Sequence, residues 1–175
     1  MTGKEFFNRV TNGKNDFLQN FLSILERNKV RFCVIGGLGV NAYAEPVVSL
    51  DFDVVIVSEK LDSVMPSLKK RFKVEAFENS INLSQTSSLL RIQIQMDKRY
   101  QAFLRKAVDK NVLGYKMPVA TIEDIFQGKV WAAMDETRRP SKRQKDLADI
   151  SRLIEVKRAL YNVLPEKLKK QILTN

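Results

Sequence analysis

Apolar and polar positions follow two different periods along this chain. Over residues 15–28 the apolar side chains recur every three to four positions, which predicts an amphipathic helix. The runs VRFCVI (30–35) and DFDVVIV (51–57) are short, apolar and rich in β-branched residues, which predicts two buried strands. Over residues 89–96 apolar and polar side chains alternate, as they do in a strand with one solvated face.

The same reading assigns the rest of the chain to short elements. Thr121 and Asp124 have the form of a capping box, which predicts a helix that ends near Met134, and the sequence is mostly helical after Pro140. We therefore expect an α/β (α+β) fold with a mixed sheet flanked by helices. We expect an α/β domain over residues 1–136 and a helical extension over 137–175 that packs on it. Further helices are predicted at 38–44, 60–71 and 100–107, and further strands at 73–77, 81–83 and within 111–118.

Composition excludes several classes of chemistry. The chain has 175 residues, no histidine and one cysteine, so Ser-His-Asp and Cys-His catalysis and a histidine-ligated zinc site are excluded. Cys33 cannot form an internal disulfide, and no signal peptide or membrane-spanning run is recognisable, so a cytoplasmic location with no membrane partner is expected. The net charge of +10 favours a polyanionic partner, and a basic solvated surface is the alternative.

Residues 34–57 carry the most informative pattern. A predicted strand ends at Gly36 and Gly37, a short helix follows, and the next strand begins with Asp51 and Asp53. Side chains two apart on a strand point to the same face, so the two carboxylates are expected side by side. Adjacent carboxylates repel unless a cation lies between them, and a hard divalent ion such as Mg²⁺ or Mn²⁺ removes that cost. Glycine pairs after a strand let backbone N–H groups approach a phosphate closely.

This arrangement resembles the nucleotidyltransferase superfamily, which includes DNA polymerase β and its minimal relatives. The shared signature is a strand, Gly36-Gly37, thirteen residues, and Asp51-Phe52-Asp53 on the next strand. The segments MPVATIEDI (117–125) and KDLADI (145–150) resemble a second pattern found in stand-alone members, including the toxins of AbiE-type toxin–antitoxin pairs. The resemblance covers roughly residues 30 to 155.

The resemblance implies a function and a set of site residues. Proteins of this kind transfer a nucleoside monophosphate from a metal-bound NTP to a hydroxyl group and release pyrophosphate. It implies that Asp51 and Asp53 hold Mg²⁺ or Mn²⁺, and that Lys129 neutralises charge on the triphosphate. The identity of the acceptor remains open, and it is RNA (for example tRNA), a protein side chain or a small molecule. The implied catalytic residues are Asp51, Asp53, Lys129 and Asp146, and the implied nucleotide-binding residues are Gly36, Gly37, Ser49 and Lys129.

Two positions depart from the family pattern. Relatives commonly carry a third carboxylate on the strand at 89–96, where the expected position in this chain is Gln93, with Gln95 as the alternative. A neutral amide cannot take a proton from the attacking hydroxyl. Relatives also often carry an arginine where Val47 stands. The alternative is therefore a catalytically degenerate member that binds a nucleotide or RNA, with an antitoxin or another protein as partner.

A dense run of cations follows the predicted helix at 121–134. Five of the eight residues from Arg138 to Lys145 are basic, and none is acidic. The run either binds an RNA backbone or is an ordinary solvated helix face. The resemblance implies that an acid at position 146 or 149 orients Lys129 or binds the acceptor. The plain alternatives are a surface lysine at position 129 and a helix-surface pair of Asp149 with Lys145 or Arg152. The five cations are Arg138, Arg139, Lys142, Arg143 and Lys145.

Overall fold

A seven-stranded mixed sheet organises the protein in a computed structural model, which describes residues 1–11 and 16–172. The strand order is β3-β4-β5-β2-β1-β7-β6. β2 and β5 run parallel, as do β1 and β7, and the other neighbours are antiparallel. The strands are β1 (Phe32–Ile35), β2 (Asp51–Ile56), β3 (Lys73–Ala76), β4 (Ser80–Ser84), β5 (Arg91–Gln95), β6 (Val108–Val112) and β7 (Tyr115–Val119).

Helices cover the sheet. The α-helices are α1 (Gly3–Val10), α2 (Phe17–Arg27), α3 (Gly36–Val40), α4 (Ser58–Arg71), α5 (Ile122–Met134), α6 (Pro140–Val156) and α7 (Glu166–Lys169). Two further segments, Lys98–Arg105 and Arg158–Val163, are 3-10 helices. The mixed α/β architecture predicted from the sequence is confirmed.

Apolar periodicity explains why most of these elements form where they do. α2 buries six side chains on one face, as the helical spacing predicts, although residue 15 of the predicted helix lies outside the described residues. β5 alternates buried Ile92 and Ile94 with Arg91, Gln93 and Gln95 on the other face. α1 was not predicted, although the capping box between Thr2 and Glu5 is readable from the sequence.

Packing near the centre of the sheet fixes the position of the site. The central pair of strands, β1 and β2, ends beside α3, and α5 packs against both α3 and α6. Thr121 caps α5 by accepting a hydrogen bond from the Asp124 N–H. α6 packs on α5 and α3, and its Lys142 reaches Asp51 of β2. The division at residues 136 and 137 stays a prediction.

Candidate active site

Asp51 and Asp53 lie on one face of β2. Phe52 and Val54, which alternate with them, are completely buried on the other face. The two carboxylates are therefore neighbours along the strand, as the alternation predicts. Asp53 lies opposite Ile35 of β1 on one side and opposite Gln93 of β5 on the other.

Gly36 lies against the carboxylate of Asp53. Its φ of +65° falls in the left-handed region, which glycine adopts without steric cost. A Cβ atom at this position would lie 2.0 Å from Asp53 Oδ2 and 2.7 Å from Asp53 Cβ. Only glycine fits here, so the first residue of the Gly-Gly pair is fixed by its contact with Asp53.

Asp53 lacks a direct partner for its charge. Among residues 1–11 and 16–172 no hydrogen bond or ion pair is made to its carboxylate. Burial raises the pKa of Asp53, although the more distant charges of Lys129 and Arg138 oppose this and Asp51 reinforces it. A desolvated carboxylate without a partner favours a bound cation.

Asp51, by contrast, is already paired. Arg91 Nη2 lies 2.8 Å from its Oδ1, and Lys142 Nζ lies 3.3 Å from its Oδ2. Burial raises the pKa of Asp51, but Lys142 and Arg91 together outweigh burial and hold that pKa below its usual value. Asp51 of β2 is thus linked by ion pairs to β5, through Arg91, and to α6, through Lys142.

A buried ion network holds Lys129 of α5 in place. Its Nζ lies 3.0 Å from Asp146 Oδ1 and 2.7 Å from Asp149 Oδ2, both on α6. Burial opposes the charge of Lys129, but Asp149 and Asp146 outweigh burial and raise its pKa. Arg138 and Arg152 pair with the outer oxygens of the same two acids, so neither carboxylate is left uncompensated. The alternative of a surface lysine at position 129 is wrong.

These groups surround a small cavity with an outer groove on either side. The inner cavity, of about 100 Å³, is lined by Gly36, Asp53, Gln93, Lys129, Arg138 and Asp146 among others. It continues past Gln95 into a groove of about 620 Å³ that is lined by Asn79, Arg99 and Trp131, here called the Trp131 groove. A second groove, of about 310 Å³, lies on the Asp51 side and is called the Arg91 groove. Its lining is Asp51, Asn82, Arg91, Gln93, Arg139 and Lys142.

Gly37 and Ser49 lie behind the cavity rather than in its lining. Ser49 is buried, and its hydroxyl donates to the Asp51 backbone carbonyl at 3.1 Å and accepts from the Asp51 N–H at 3.3 Å. The nearest side chain to a Cβ built on Gly37 is Ser49, whose Oγ would lie 3.6 Å away. Ser49 therefore fixes the start of β2 and reaches the site through Asp51.

The basic run does not form one open surface, which corrects the expectation of a single patch. Arg138 turns inward to Asp146, at 2.6 Å, and Arg143 donates to the backbone carbonyl of Ala133. Lys142 is paired with Asp51, which leaves Arg139 and Lys145 as the exposed members without an ion pair in the described part of the chain. The site draws these cations inward because four aspartates lie at its centre.

Arg91 and Arg138 lie in the site although they were not predicted as part of it. Arg91 precedes Gln93 by two positions, so strand alternation places both on one face. Asp149 shares a helix face with Asp146 and is paired with Arg152, as one of the alternatives predicted, and also with Lys129. Arg138 carries no such signal, because it lies in the loop between α5 and α6.

The residues present fit one hard divalent cation. Asp53 supplies an unpaired carboxylate, Asp51 supplies a second, and Gln93 is the register partner of Asp53 on β5. Mg²⁺ takes one or two carboxylates and keeps several waters, so it does not need a third acid. Within residues 1–11 and 16–172, no three carboxylate, thiol or imidazole side chains are placed so that they could hold one metal ion together.

Solved structures of other proteins share this architecture. No family model matches the sequence, and no curated protein matches it. The protein is similar to ANT(2'')-Ia in complex with adenylyl-2''-tobramycin, with a TM-score of 0.63 and 11% identity over 88% of this chain and 95% of that chain. It is similar to the lincomycin-bound lincosamide adenylyltransferase LnuA, with a TM-score of 0.56 and 14% identity over 81% of this chain and 98% of that chain. The protein has a nucleotidyltransferase fold.

These similarities confirm the fold that the resemblance implies; membership of the superfamily and of its AbiE branch stays a prediction. An antigenic nucleotidyltransferase-like protein from Paracoccidioides brasiliensis is also similar, with a TM-score of 0.54 and 15% identity over 88% of this chain and 78% of that chain. Within the described residues, no helix is long and apolar enough to cross a membrane.

Proposed function

We propose that this protein transfers a nucleoside monophosphate from a magnesium-bound NTP to a hydroxyl group and releases pyrophosphate. One observation carries the proposal. The inner cavity brings together the backbone of Gly36, the unpaired carboxylate of Asp53 and the buried ammonium of Lys129. Positioning and electrostatic stabilisation are the main requirements of phosphoryl transfer, and this cavity supplies groups for both.

The cations of the cavity take the triphosphate in this proposal. Lys129 and Arg138 both line the inner cavity, and their positive charges stabilise the negative charge that develops on the leaving pyrophosphate. Asp51 and Asp53 would hold Mg²⁺ or Mn²⁺, which when bound polarises the phosphoryl oxygens. Gln93 cannot take the proton of the attacking hydroxyl, so that proton passes to water.

Asp146 and Asp149 act as positioning residues rather than as catalytic ones. Both are buried and are paired with Lys129 on one side and with an arginine on the other. They hold the ammonium of Lys129 on the cavity wall and keep it charged. Of the two roles that the resemblance implies for an acid on this helix, these pairs support the orientation of Lys129.

The nucleoside and the acceptor lie outside the inner cavity, which is too small for either. The Trp131 groove is six times larger and is polar at Asn79 and Gln95, which suits a nucleoside. The acceptor classes are RNA such as tRNA, a protein side chain, or a small molecule like the antibiotics named for the solved relatives. A toxin role with an antitoxin as partner is one setting for such an activity.

Label transfer tests the proposal. Each of the four NTPs, labelled at the α-phosphate, is incubated with Mg²⁺ or Mn²⁺ and with a pool of RNA, protein and small-molecule acceptors. The proposal predicts that label joins one acceptor class and that pyrophosphate is released, and that Asp53→Asn abolishes both. An absence of transfer from all four NTPs would count against the proposal.

A degenerate, binding-only member is the second candidate function. It is favoured by Asp51, which is already paired with Arg91 and Lys142, and by the neutral Gln93 opposite Asp53. In this case the nucleotide binds without a metal, because the cations of the site neutralise its phosphates. NTP binding that is independent of Mg²⁺ and unaccompanied by pyrophosphate release would select this candidate.

A further inference from the structure

The Arg91 groove is a second recognition surface beside the inner cavity. Three of its six lining residues are cations, namely Arg91, Arg139 and Lys142, and one is an acid, Asp51. The inference drawn from it rests on the proposed function, because it concerns the acceptor of that transfer.

The cations of the groove are available to a ligand. The Arg91 side chain is 64% exposed and that of Lys142 is 40% exposed, so their pairs with Asp51 are accessible and weak. Arg139 makes no ion pair with any residue that the structure describes. Three cations against one carboxylate leave the groove with an excess of positive charge, and a metal on Asp51 would increase it.

The groove also contains polar groups suited to a hydroxyl or a phosphate. Asn82 lies on β4 beside Gln93, and its Oδ1 is buried with no hydrogen-bond partner among the described residues. Arginine donates paired N–H groups in a fixed fork that matches two phosphate oxygens. The lining therefore fits a ligand with an anionic group for the arginines and a hydrogen-bond donor, such as a sugar hydroxyl, for Asn82 Oδ1.

Its position relative to the inner cavity points to the acceptor. The two spaces share Gln93 and lie on either side of the Asp51 and Asp53 pair, the groove towards the start of β2 and β5 and the cavity towards their ends. In phosphoryl transfer the attacking and leaving oxygens lie roughly in line. If the pyrophosphate leaves on the Lys129 side, the attacking hydroxyl enters from the side of the Arg91 groove.

We propose that the Arg91 groove binds a backbone phosphate of a single-stranded nucleic acid whose terminal hydroxyl is the acceptor. Asp51 and Asp53 are two residues apart, about 7 Å along the strand. This is comparable with the span between a terminal hydroxyl and the phosphate of the same nucleotide. A bond forms between the hydroxyl oxygen and the α-phosphorus, the bond from that phosphorus to the bridging oxygen breaks, pyrophosphate leaves, and the hydroxyl proton passes to water.

The charge of the groove disfavours a polycationic acceptor. Tobramycin, named in the complex of one solved relative, carries several ammonium groups, which Arg91, Arg139 and Lys142 would repel. The other source of phosphate is the triphosphate of the NTP itself. Binding of the oligonucleotide and of the NTP must therefore be measured separately on the same variants.

Fluorescence anisotropy with a labelled ten-nucleotide single-stranded RNA tests the groove. The double variant Arg91→Gln/Arg139→Gln should weaken RNA binding by about 10- to 100-fold and reduce the slope of log affinity against log salt by roughly 1.4. Lys145→Gln is the matched control, since it removes the same charge from α6 outside the groove, and it should bind the RNA almost as wild type does. If the double variant does not fold, RNA binding is measured on the single variant Arg139→Gln instead.

Thermal stability with NTP and Mg²⁺, measured on the same variants, separates this inference from the proposed function. Arg139→Gln, which changes no partner of Asp51, should keep the NTP response, whereas Asp53→Asn should lose that response and keep RNA binding. RNA binding that is unchanged in the groove variants would overturn the inference. So would loss of the NTP response in Arg139→Gln, which would assign the groove to the triphosphate, or transfer of a nucleotide to tobramycin.

Discussion

Gly36 and Asp53 are in such close contact that no side chain fits between them. The Gly36 Cβ position lies 2.0 Å from Asp53 Oδ2, and the Gly36 backbone has a φ of +65°. Gly36→Ala therefore has to move β2 or α3 and adopt a disfavoured conformation. We expect it to lose about 2–3 kcal/mol of unfolding free energy and to weaken nucleotide binding, measured by urea denaturation and by ligand-induced stabilisation.

Gly37→Ala is the matched control for that prediction. The atom nearest to its Cβ would be Ser49 Oγ at 3.6 Å, an ordinary contact. The variant should fold with a stability within about 0.5 kcal/mol of wild type. Equal losses for the two alanine variants would contradict the contact between Gly36 and Asp53.

Lys129 should be one of the most sensitive positions for stability. Lys129→Met leaves Asp146 and Asp149 buried with only an arginine each, and removing one partner from a buried ion network costs roughly 3–5 kcal/mol. The comparison variant is Lys157→Met, which breaks an exposed pair with Glu123 and should cost about 0–1 kcal/mol. Similar losses in urea denaturation would show that Lys129 is not held as described.

Asp53→Asn should change how the stability of the protein depends on pH. Burial raises the folded-state pKa of Asp53, so the wild type carries a penalty that appears as the pH rises from the ordinary Asp pKa of about 3.9 through the raised value. The asparagine variant carries no such penalty. Its stability relative to wild type should therefore increase with pH across that window and then level off, as followed by urea denaturation over a pH series. Parallel pH curves for the two proteins would contradict this.

Gln93→Glu should restore a third carboxylate opposite Asp53. The three acids would share one cation, so affinity for Mn²⁺ or Mg²⁺ should rise, and transfer should gain up to about 10²-fold if a base at this position is limiting. Gln95→Glu adds the same charge two residues further along β5 and should have the smaller effect. A larger gain in metal affinity at position 95, measured by calorimetry, would contradict the register of β2 and β5.

The parts of the site that lie on regular elements could be predicted from the sequence. Alternation placed Asp51 and Asp53 on one face, because a strand fixes the direction of every second side chain, and the family resemblance indicated Gln93 as the residue that faces them. The end of α5 near Met134 followed from helical periodicity and from the cap at Thr121.

Contacts between distant segments could not be predicted in this way. The direction of Arg138, the pairing of Lys142 with Asp51 and the burial of Lys129 depend on how α6 packs against α5 and β2. The sequence of a run of cations does not show whether its side chains face solvent or a group of four aspartates. Only the tertiary structure showed that most of this run serves the site.

The central claim is that the cavity around Asp53 is a metal-dependent NTP site. Its most direct test is the melting temperature of the wild type and of Asp53→Asn with each of the four NTPs, with and without Mg²⁺. A ligand at 100 times its dissociation constant adds about 2.7 kcal/mol of stability, which for a chain of 175 residues raises the melting temperature by about 5–11 °C. The account predicts such a shift for at least one NTP, dependent on Mg²⁺ and lost in Asp53→Asn. No shift with any NTP, or one equally large in the variant, would contradict it.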